Sequence, residues 1–207
     1  MNRHAVYLVL GACLLFWAGN ASADLVGHWP LDGNAEDVSG NGLNGTIMLA
    51  DPNGQPNFVE GAVDLALDLS GGDDYVNIDG YKGINIDPND PNRVQPAFTV
   101  MNWFNTTGAE GEMVTWGTNV GRQRLTWRVN ASTLRTEHGA GNLRGNTVVS
   151  DGEWHHGALS VAEGANLRPD VAIIYLDGEA DSTFSGSDNP YELTADVDVR
   201  IGMGGPT

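Results

Sequence analysis

Oxygen-bearing side chains are concentrated in the segment 37–45, where asparagines alternate with glycines. Asp37, Asn41 and Asn44 supply side-chain oxygens, and Asp32 lies close enough in sequence to join them. Calcium takes several oxygen ligands at short range from a backbone that can bend. These four residues are therefore predicted to bind a structural calcium ion. The alternative is a tight Asn-Gly turn whose side chains hydrogen-bond to the backbone.

Two other acidic pairs are weaker candidates for a metal site. Asp73 and Asp74 stand at the entrance to a predicted strand, where paired acids are most often solvated. Asp87 and Asp90 lie in a polar, proline-rich loop that lacks the glycine and the final glutamate of an EF-hand.

Arg124 and Arg128 share one strand parity, and an apolar set shares the other: Leu125, Trp127 and Val129. Burial of the apolar set leaves the two arginines on an open sheet face. Paired guanidinium groups could bind an acidic sugar or a sulfate. The alternative is that they pair with the Asp and Glu residues that are abundant in the chain.

Tryptophan rings could stack on sugar rings. Trp116 is near a strand end and is predicted to be partly open, so it joins Arg124 and Arg128 as a predicted ligand-binding residue. The tryptophans that fall within predicted strands are expected in the core: Trp29, Trp103, Trp127 and Trp154.

Catalytic motifs are missing from the sequence. Glu110 and Glu112 share a parity but flank glycines in a predicted loop, whereas a retaining glycoside hydrolase needs two carboxylates close together. No nucleophile elbow or phosphate-binding loop is present. His155 and His156 are neighbours on a predicted strand and point to opposite faces, so they cannot easily share a zinc ion. The chain is predicted not to be an enzyme.

The composition indicates an exported protein. Residues 1–23 combine Arg3, an apolar run and a small-residue site at Ala21–Ala23, which predicts a secretory signal peptide. Cys13 is the sole cysteine, so the mature chain can form no disulfide; a lipid anchor on Cys13 is the less favoured alternative. The formal net charge is −17 with a single lysine, which argues against nucleic acid as a partner. No later segment is apolar enough to span a membrane.

Short apolar alternations between clusters of Gly, Asn, Asp and Pro predict an all-β protein of many antiparallel strands. Residues 24–207 fit one domain, and Asp177-Gly178 predicts a tight hairpin. The predicted strands are 25–31, 62–69, 75–78, 98–105, 113–116, 124–129, 147–149, 154–161, 171–176 and 197–201.

Five blocks of the sequence, in order, resemble the laminin-G-like jelly-roll modules of bacterial secreted proteins, within the concanavalin A-like lectin/glucanase superfamily. The blocks are Leu25–Thr46, Gly72–Val76, Phe98–Phe104, Asp151–His156 and Ile174–Glu179. The resemblance implies two curved antiparallel sheets packed face to face as a jelly-roll sandwich. It also implies frequent calcium binding and recognition of carbohydrate or protein ligands without catalysis.

Three features depart from the family pattern. Asn102 stands where the family usually has a small apolar residue, and Gly157 where it usually has valine or a similar residue. An inward Asn102 needs hydrogen-bond partners, or it costs about 1–3 kcal/mol. The family also ends with an Asp-Asp-hydrophobic-Arg strand, and nothing after Ile201 resembles it, so the domain is expected to be C-terminally incomplete and part of a larger protein.

Three functions remain open from the sequence. The first is a non-catalytic extracellular recognition module that binds carbohydrate and is stabilised by calcium. The second is a structural or adhesive domain of a larger surface or secreted protein, without a small ligand. The third and least favoured is a glycoside hydrolase of the same fold.

Overall fold

The computed structural model describes residues 24–69, 73–87, 89, 91–92, 94–164, 171–184 and 189–203. These residues form fourteen strands and no helix, which confirms the all-β class. Within the described ranges there is accordingly no helix that could span a membrane. The predicted signal peptide, with Cys13, and Asp90 of the second acidic pair lie outside the described residues.

The larger sheet contains eight strands, and every pairing in it is antiparallel. In spatial order the strands are β1 (Gly45–Met48), β4 (Tyr75–Ile78), β14 (Arg200–Ile201), β6 (Glu110–Gly117), β7 (Arg124–Asn130), β8 (Thr133–Glu137), β9 (Asn142–Val148) and β13 (Ser182–Phe184).

The smaller sheet contains four antiparallel strands, which in spatial order are β12 (Glu179–Ala180), β11 (Ala172–Leu176), β10 (Trp154–Val161) and β5 (Phe98–Asn105). Asp177 and Gly178 form the two-residue turn between β11 and β12, with φ angles of 51° and 89°. These positive angles are typical of a type I′ hairpin, so the predicted tight turn is confirmed. A separate hairpin pairs β2 (Asn57–Glu60) with β3 (Leu65–Asp68).

The hydrophobic core lies between the two sheets. Period-2 alternation turns one set of side chains from each sheet inward. The predicted inward set on β7 is confirmed, since Leu125, Trp127 and Val129 are 0%, 0% and 2% exposed. The other buried members include Leu134 and Leu143 from the larger sheet and Phe98, Phe104, Leu159, Val161 and Ile174 from the smaller one.

Residues 25–31 form no strand, so that prediction is wrong. Backbone groups of this segment bond to side chains instead of to a neighbouring strand: the Asn41 amide donates to it and the Asp37 carboxylate accepts from it. Pro30 has no N–H to contribute to a ladder. Leu31 has a φ of 58°, which no extended strand contains.

Other strand boundaries also differ from the sequence prediction. β1, β2, β8 and β13 were not predicted, and β9 begins at Asn142, five residues before the predicted strand. β3 starts only at Leu65, because Asp64 has a φ of 50° and forms the hairpin turn with Gly61. The predicted strands over 75–78, 98–105 and 154–161 are confirmed at both ends.

Asn102 and Gly157, the two internal departures from the family pattern, lie directly opposite each other on β5 and β10. The indole Nε1 of Trp127, from the facing sheet, donates a 2.8 Å hydrogen bond to Asn102 Oδ1. A Cβ on Gly157 would lie 3.1 Å from the indole Cζ2 and 3.2 Å from Cε1 of Phe104. The glycine therefore makes room for the indole, and the asparagine satisfies its buried N–H.

Candidate functional site

Arg128 lies on the outer face of the larger sheet, where three glutamates surround its guanidinium group. Its Nη2 is 2.7 Å from Glu110 Oε2, and its Nη1 is 3.2 Å from Glu112 Oε1 and 3.3 Å from Glu137 Oε1. The glutamates come from β6 and β8, the two strands that flank β7. For Arg128, the structure therefore shows the alternative interpretation, in which the arginine pairs with nearby carboxylates.

A cross-strand row of arginines continues from this network. Arg128, Arg135 and Arg144 occupy paired positions on β7, β8 and β9. Arg135 contacts Glu137 at 2.7 Å, and Asn130 Oδ1 accepts hydrogen bonds from both Arg135 and Arg144. Many guanidinium N–H groups of this row therefore already donate hydrogen bonds to protein side chains.

The three predicted ligand-binding residues do not form one open site. Trp116 is only 6% exposed and packs edge-on against Phe98, with ring centroids 5.6 Å apart. The prediction that Trp116 is partly open is therefore wrong. Arg124 donates to Asn119 Oδ1 at 2.5 Å, away from the glutamates around Arg128.

Glu110 and Glu112 lie in strand β6, where the sequence predicted a loop. Both carboxylates contact Arg128. The hydrogen bonds that Glu110 accepts, first from the backbone N–H of Ala131 and then from the amide of Asn130, hold its pKa below the usual range. A glycosidase general acid needs the opposite shift, so this pair does not resemble hydrolase machinery.

The Asp37 carboxylate is held by hydrogen bonds from its own loop. Oδ1 accepts from the backbone N–H groups of His28 and Ser39, each at 2.9 Å, and Oδ2 accepts from the Ser39 hydroxyl at 2.8 Å and the Leu43 N–H at 3.0 Å. Burial by itself would raise the pKa of Asp37, but these bonds outweigh it and hold the pKa well below its usual range. In turn, Asn44 Oδ1 accepts from the Asp37 N–H at 3.0 Å.

Three of the four predicted calcium ligands make hydrogen bonds within the protein. The oxygens of Asp37 and Asn44 already accept hydrogen bonds, and Asn41 directs its NH2 group to two backbone carbonyls at 2.9 Å. Asp32 is exposed. Among the described residues, no group of three or more His, Cys, Asp or Glu side chains could hold a metal. Calcium binding therefore stays a prediction.

An exposed aromatic face covers the outside of the smaller sheet. We use this name for Met101 and Trp103 on β5, Trp154 and His156 on β10, and Tyr175 on β11. Trp103 is 51% exposed and Met101 is 60% exposed. Trp103 pairs directly with His156 across the strands, with ring centroids 5.2 Å apart, and Ala158 pairs with both Met101 and Tyr175. The face therefore extends over three adjacent strands, or about 10 Å.

The sequence prediction placed Trp103 and Trp154 in the core, and both placements are wrong, since neither belongs to the buried core. Phe98 and Phe104 are buried at even-numbered positions of β5, so the odd-numbered Trp103 must point to the other face. Strand parity was the signal that could have identified it. No Asp, Glu, Lys or Arg occurs in β5, β10 or β11. These three strands therefore carry no acidic or basic residue other than histidine in a strongly acidic chain, and Glu179 of the edge strand β12 is the one carboxylate in the strands of this sheet.

His155 and two aspartates form a histidine clamp at the Trp154 end of β10. His155 Nδ1 is 2.8 Å from Asp177 Oδ2, and His155 Nε2 is 3.3 Å from Asp151 Oδ1. The hydrogen bond to Asp177 is the main reason that the pKa of His155 is raised, and Asp151 adds to the effect. Asp177 also accepts from the His156 N–H at 2.8 Å, so the clamp ties the β11–β12 turn to β10.

This clamp predicts a pH-dependent contribution to stability. Because the pKa of His155 is raised in the fold, its contribution is fully present below the unfolded value near 6.5 and is lost as the pH rises through the folded pKa. His155→Gln should therefore destabilise the protein most at low pH and less at high pH. The test is the difference in unfolding free energy between variant and wild type across a pH series. Burial lowers the pKa of His138, which has the opposite effect on stability. Because both proteins contain His138, this effect cancels in the difference. A pH-independent difference would contradict the prediction.

Comparison with solved structures gives similar folds at low identity. They include mouse laminin α1 chain domains LG4-5 (15% identity, TM-score 0.40, 74% of this chain and 39% of that chain). The LG1-3 region of the laminin α2 chain has 22% identity and a TM-score of 0.39 over 56% of this chain and 24% of that chain. The binding domain of Paraclostridial Mosquitocidal Protein 1 has 13% identity and a TM-score of 0.49 over 81% of this chain and 44% of that chain. The chain spans less than half the length of each, and no functional conclusion follows at these TM-scores.

No curated protein is significantly similar to the chain. A laminin-G family model, described as Concanavalin A-like lectin/glucanases superfamily, matches residues 70–205. That match covers more than half of the chain and includes every strand of the smaller sheet and all strands of the larger sheet except β1. The chain therefore belongs to the laminin-G-like family of the concanavalin A-like lectin/glucanase superfamily.

Proposed function

We propose that this chain is a non-catalytic recognition module that acts outside the cell and binds carbohydrate on its aromatic face. The observation that carries the proposal is Trp103, a tryptophan 51% exposed in the middle of a regular strand and flanked across the sheet by His156. Large aromatic side chains are usually buried unless a partner covers them. A flat row of rings is suited to stacking against the apolar faces of sugars.

The charge of this surface selects the kind of glycan. Its three strands carry no Asp, Glu, Lys or Arg, and Asp151 and Asp177 contact His155 at its Trp154 end. A sulfated or carboxylated glycan would meet no cation on the strands and repulsion at that end. The proposed ligand is therefore a neutral oligosaccharide, in contrast to the acidic sugar that Arg124 and Arg128 suggest.

Replacing Trp103 by alanine should weaken binding of a neutral oligosaccharide about tenfold, since a stacking contact of about 1.4 kcal/mol corresponds to a factor of ten. The measurement is calorimetric titration with a panel of neutral and sulfated oligosaccharides. Arg124→Gln is the matched control, because it removes a predicted binding residue from the other sheet. Both variants must first melt cooperatively.

The outcomes of this titration separate the competing assignments. If Arg124→Gln weakens binding and Trp103→Ala does not, the ligand site lies on the larger sheet. Repeating the titrations in calcium and in chelator tests the predicted calcium dependence. A folded protein that binds no glycan would favour the second candidate, a structural or adhesive domain of a larger exported protein.

A further inference from the structure

A single small residue, Ala158, interrupts the exposed aromatic face at its centre. It pairs with Met101 on β5 and with Tyr175 on β11. Because neighbouring strands are about 4.8 Å apart, the Cβ atoms of those two residues lie about 10 Å apart, with only a methyl group between them. The next cross-strand row holds the ring pair of Trp103 and His156. Four larger side chains therefore surround the space above Ala158, which we call the alanine pit.

The β5 side of the alanine pit and its floor are apolar. Met101 and Trp103 are 60% and 51% exposed, so a ligand can reach the thioether and the indole, and the floor is the Ala158 methyl group. A sugar hydroxyl placed against these groups loses hydrogen bonds to water without replacing them, which is unfavourable. A methyl group placed there is stabilised by leaving water. The pit therefore favours an apolar substituent on the sugar over a hydroxyl group.

Hydrogen-bonding groups lie around the alanine pit. Ser160 is two positions beyond Ala158 on the same face of β10, and Tyr175 and His156 border the pit on two other sides. In the part of the chain that the structure describes, neither these two hydroxyl groups nor the His156 ring nitrogens take part in a hydrogen bond. Hydroxyl and imidazole groups can donate to a carbonyl oxygen and accept from an N–H. The surroundings of the pit therefore suit an uncharged amide.

We propose that the aromatic face recognises a 2-acetamido sugar and takes its acetamido methyl group into the alanine pit. An acetamido group combines a methyl group with an amide and has no charge, so it matches the apolar floor, the surrounding hydrogen-bonding groups and the absence of Asp, Glu, Lys and Arg from the three strands. Trp103 stacks on the sugar ring beside the pit. This inference rests on the proposed function, because it specifies which neutral oligosaccharide the face binds.

The test is calorimetric titration with chitooligosaccharides and cello-oligosaccharides of equal length, which differ only in carrying an acetamido group or a hydroxyl group at C2. Wild type should bind the acetamido series at least about tenfold more tightly, the usual discrimination for a small apolar group in a fitted pocket. Ala158→Val fills the pit and should reduce this preference to about twofold or less. Ala180→Val is the matched control, because Ala180 is exposed, pairs with Tyr175 from the other side and does not border the pit.

Saturation-transfer NMR gives a second readout that needs no variant. In the bound chitooligosaccharide, the acetamido methyl protons should receive more saturation from the protein than the sugar ring protons do, because they lie inside the pit. The reverse order would place the methyl group in solvent and overturn the proposal.

The outcomes distinguish this inference from the proposed function. Equal binding of the two series, or tighter binding of the cello-oligosaccharides, overturns the acetamido assignment and leaves carbohydrate recognition in place. A preference that survives in Ala158→Val, or that Ala180→Val removes as completely, shows that the alanine pit is not where the acetamido group binds. If the folded protein binds neither series, this inference and the proposed glycan recognition on the aromatic face are both overturned.

Discussion

Trp127→Ala should lower the free energy of unfolding by about 3–5 kcal/mol, the range for truncating a large aromatic side chain in a core. Trp127 is fully buried between the sheets, and its indole N–H bonds to Asn102. The substitution leaves a cavity and also removes the partner of a part-buried amide, so two costs add. Because a small domain is stable by only about 5–15 kcal/mol, the variant should be close to unfolding.

Trp103→Ala is the matched control for this effect, since it removes the same side chain from the outer face. Its cost should stay within about 1 kcal/mol, because half of the ring is already exposed. Urea denaturation of both variants measures the difference. Equal costs would mean that the inward and outward assignments of the two tryptophans are wrong.

Gly157→Val should also be strongly destabilising, although valine favours strands and is common at this position in the family. A Cβ alone would lie 3.1 Å from the Trp127 ring and 3.4 Å from Cδ1 of Leu134, and the two methyl groups of valine need further space. Overpacking of this kind typically costs about 1–3 kcal/mol. Ala158→Val is the control, because Ala158 is adjacent but points to the outer face, and its cost should stay within about 0.5 kcal/mol.

A double-mutant cycle would establish the cause of the Gly157→Val effect. Trp127→Leu removes the ring that the new methyl groups would meet, so Gly157→Val should cost at least about 1 kcal/mol less in that background. Additive costs would show that the ring is not the obstacle. The cycle requires chemical denaturation of four proteins and no knowledge of the ligand.

Much of the fold was predictable from the sequence, and the missed strand β8 has a physical reason. The strands β4, β5 and β10 have a clear alternation of apolar residues. β8, with the sequence TLRTE, has only Leu134 as a large apolar residue, because its outward positions carry Arg135 and Glu137 of the charged network. A strand that is apolar on one narrow face and ion-paired on the other gives a weak period-2 signal.

The placement of the candidate site was less predictable because it depends on register and irregularity. The partners of Arg128 come from two neighbouring strands, which no spacing along one strand reveals. Trp116 is buried because β6 has a register shift after Glu112, and residues 113–117 are all buried beyond it. Thr115, on the outward side, is covered by the Met203 carbonyl, to which its hydroxyl donates at 2.8 Å. Simple parity fails at such a bulge.

The contrast between Trp127 and Trp103 also gives the protein two built-in optical probes. The Trp127 indole is held in a fixed, asymmetric and dry environment by Asn102 and Gly157, so it should contribute to the near-ultraviolet circular dichroism that disappears when packing is lost. The Trp103 ring is half open to solvent, so a soluble quencher should reach its fluorescence in the native state. Because the chain has six tryptophans, comparison with Trp127→Ala and Trp103→Ala assigns each signal to its ring. Unfolding and surface occupancy can then be followed separately in unlabelled protein.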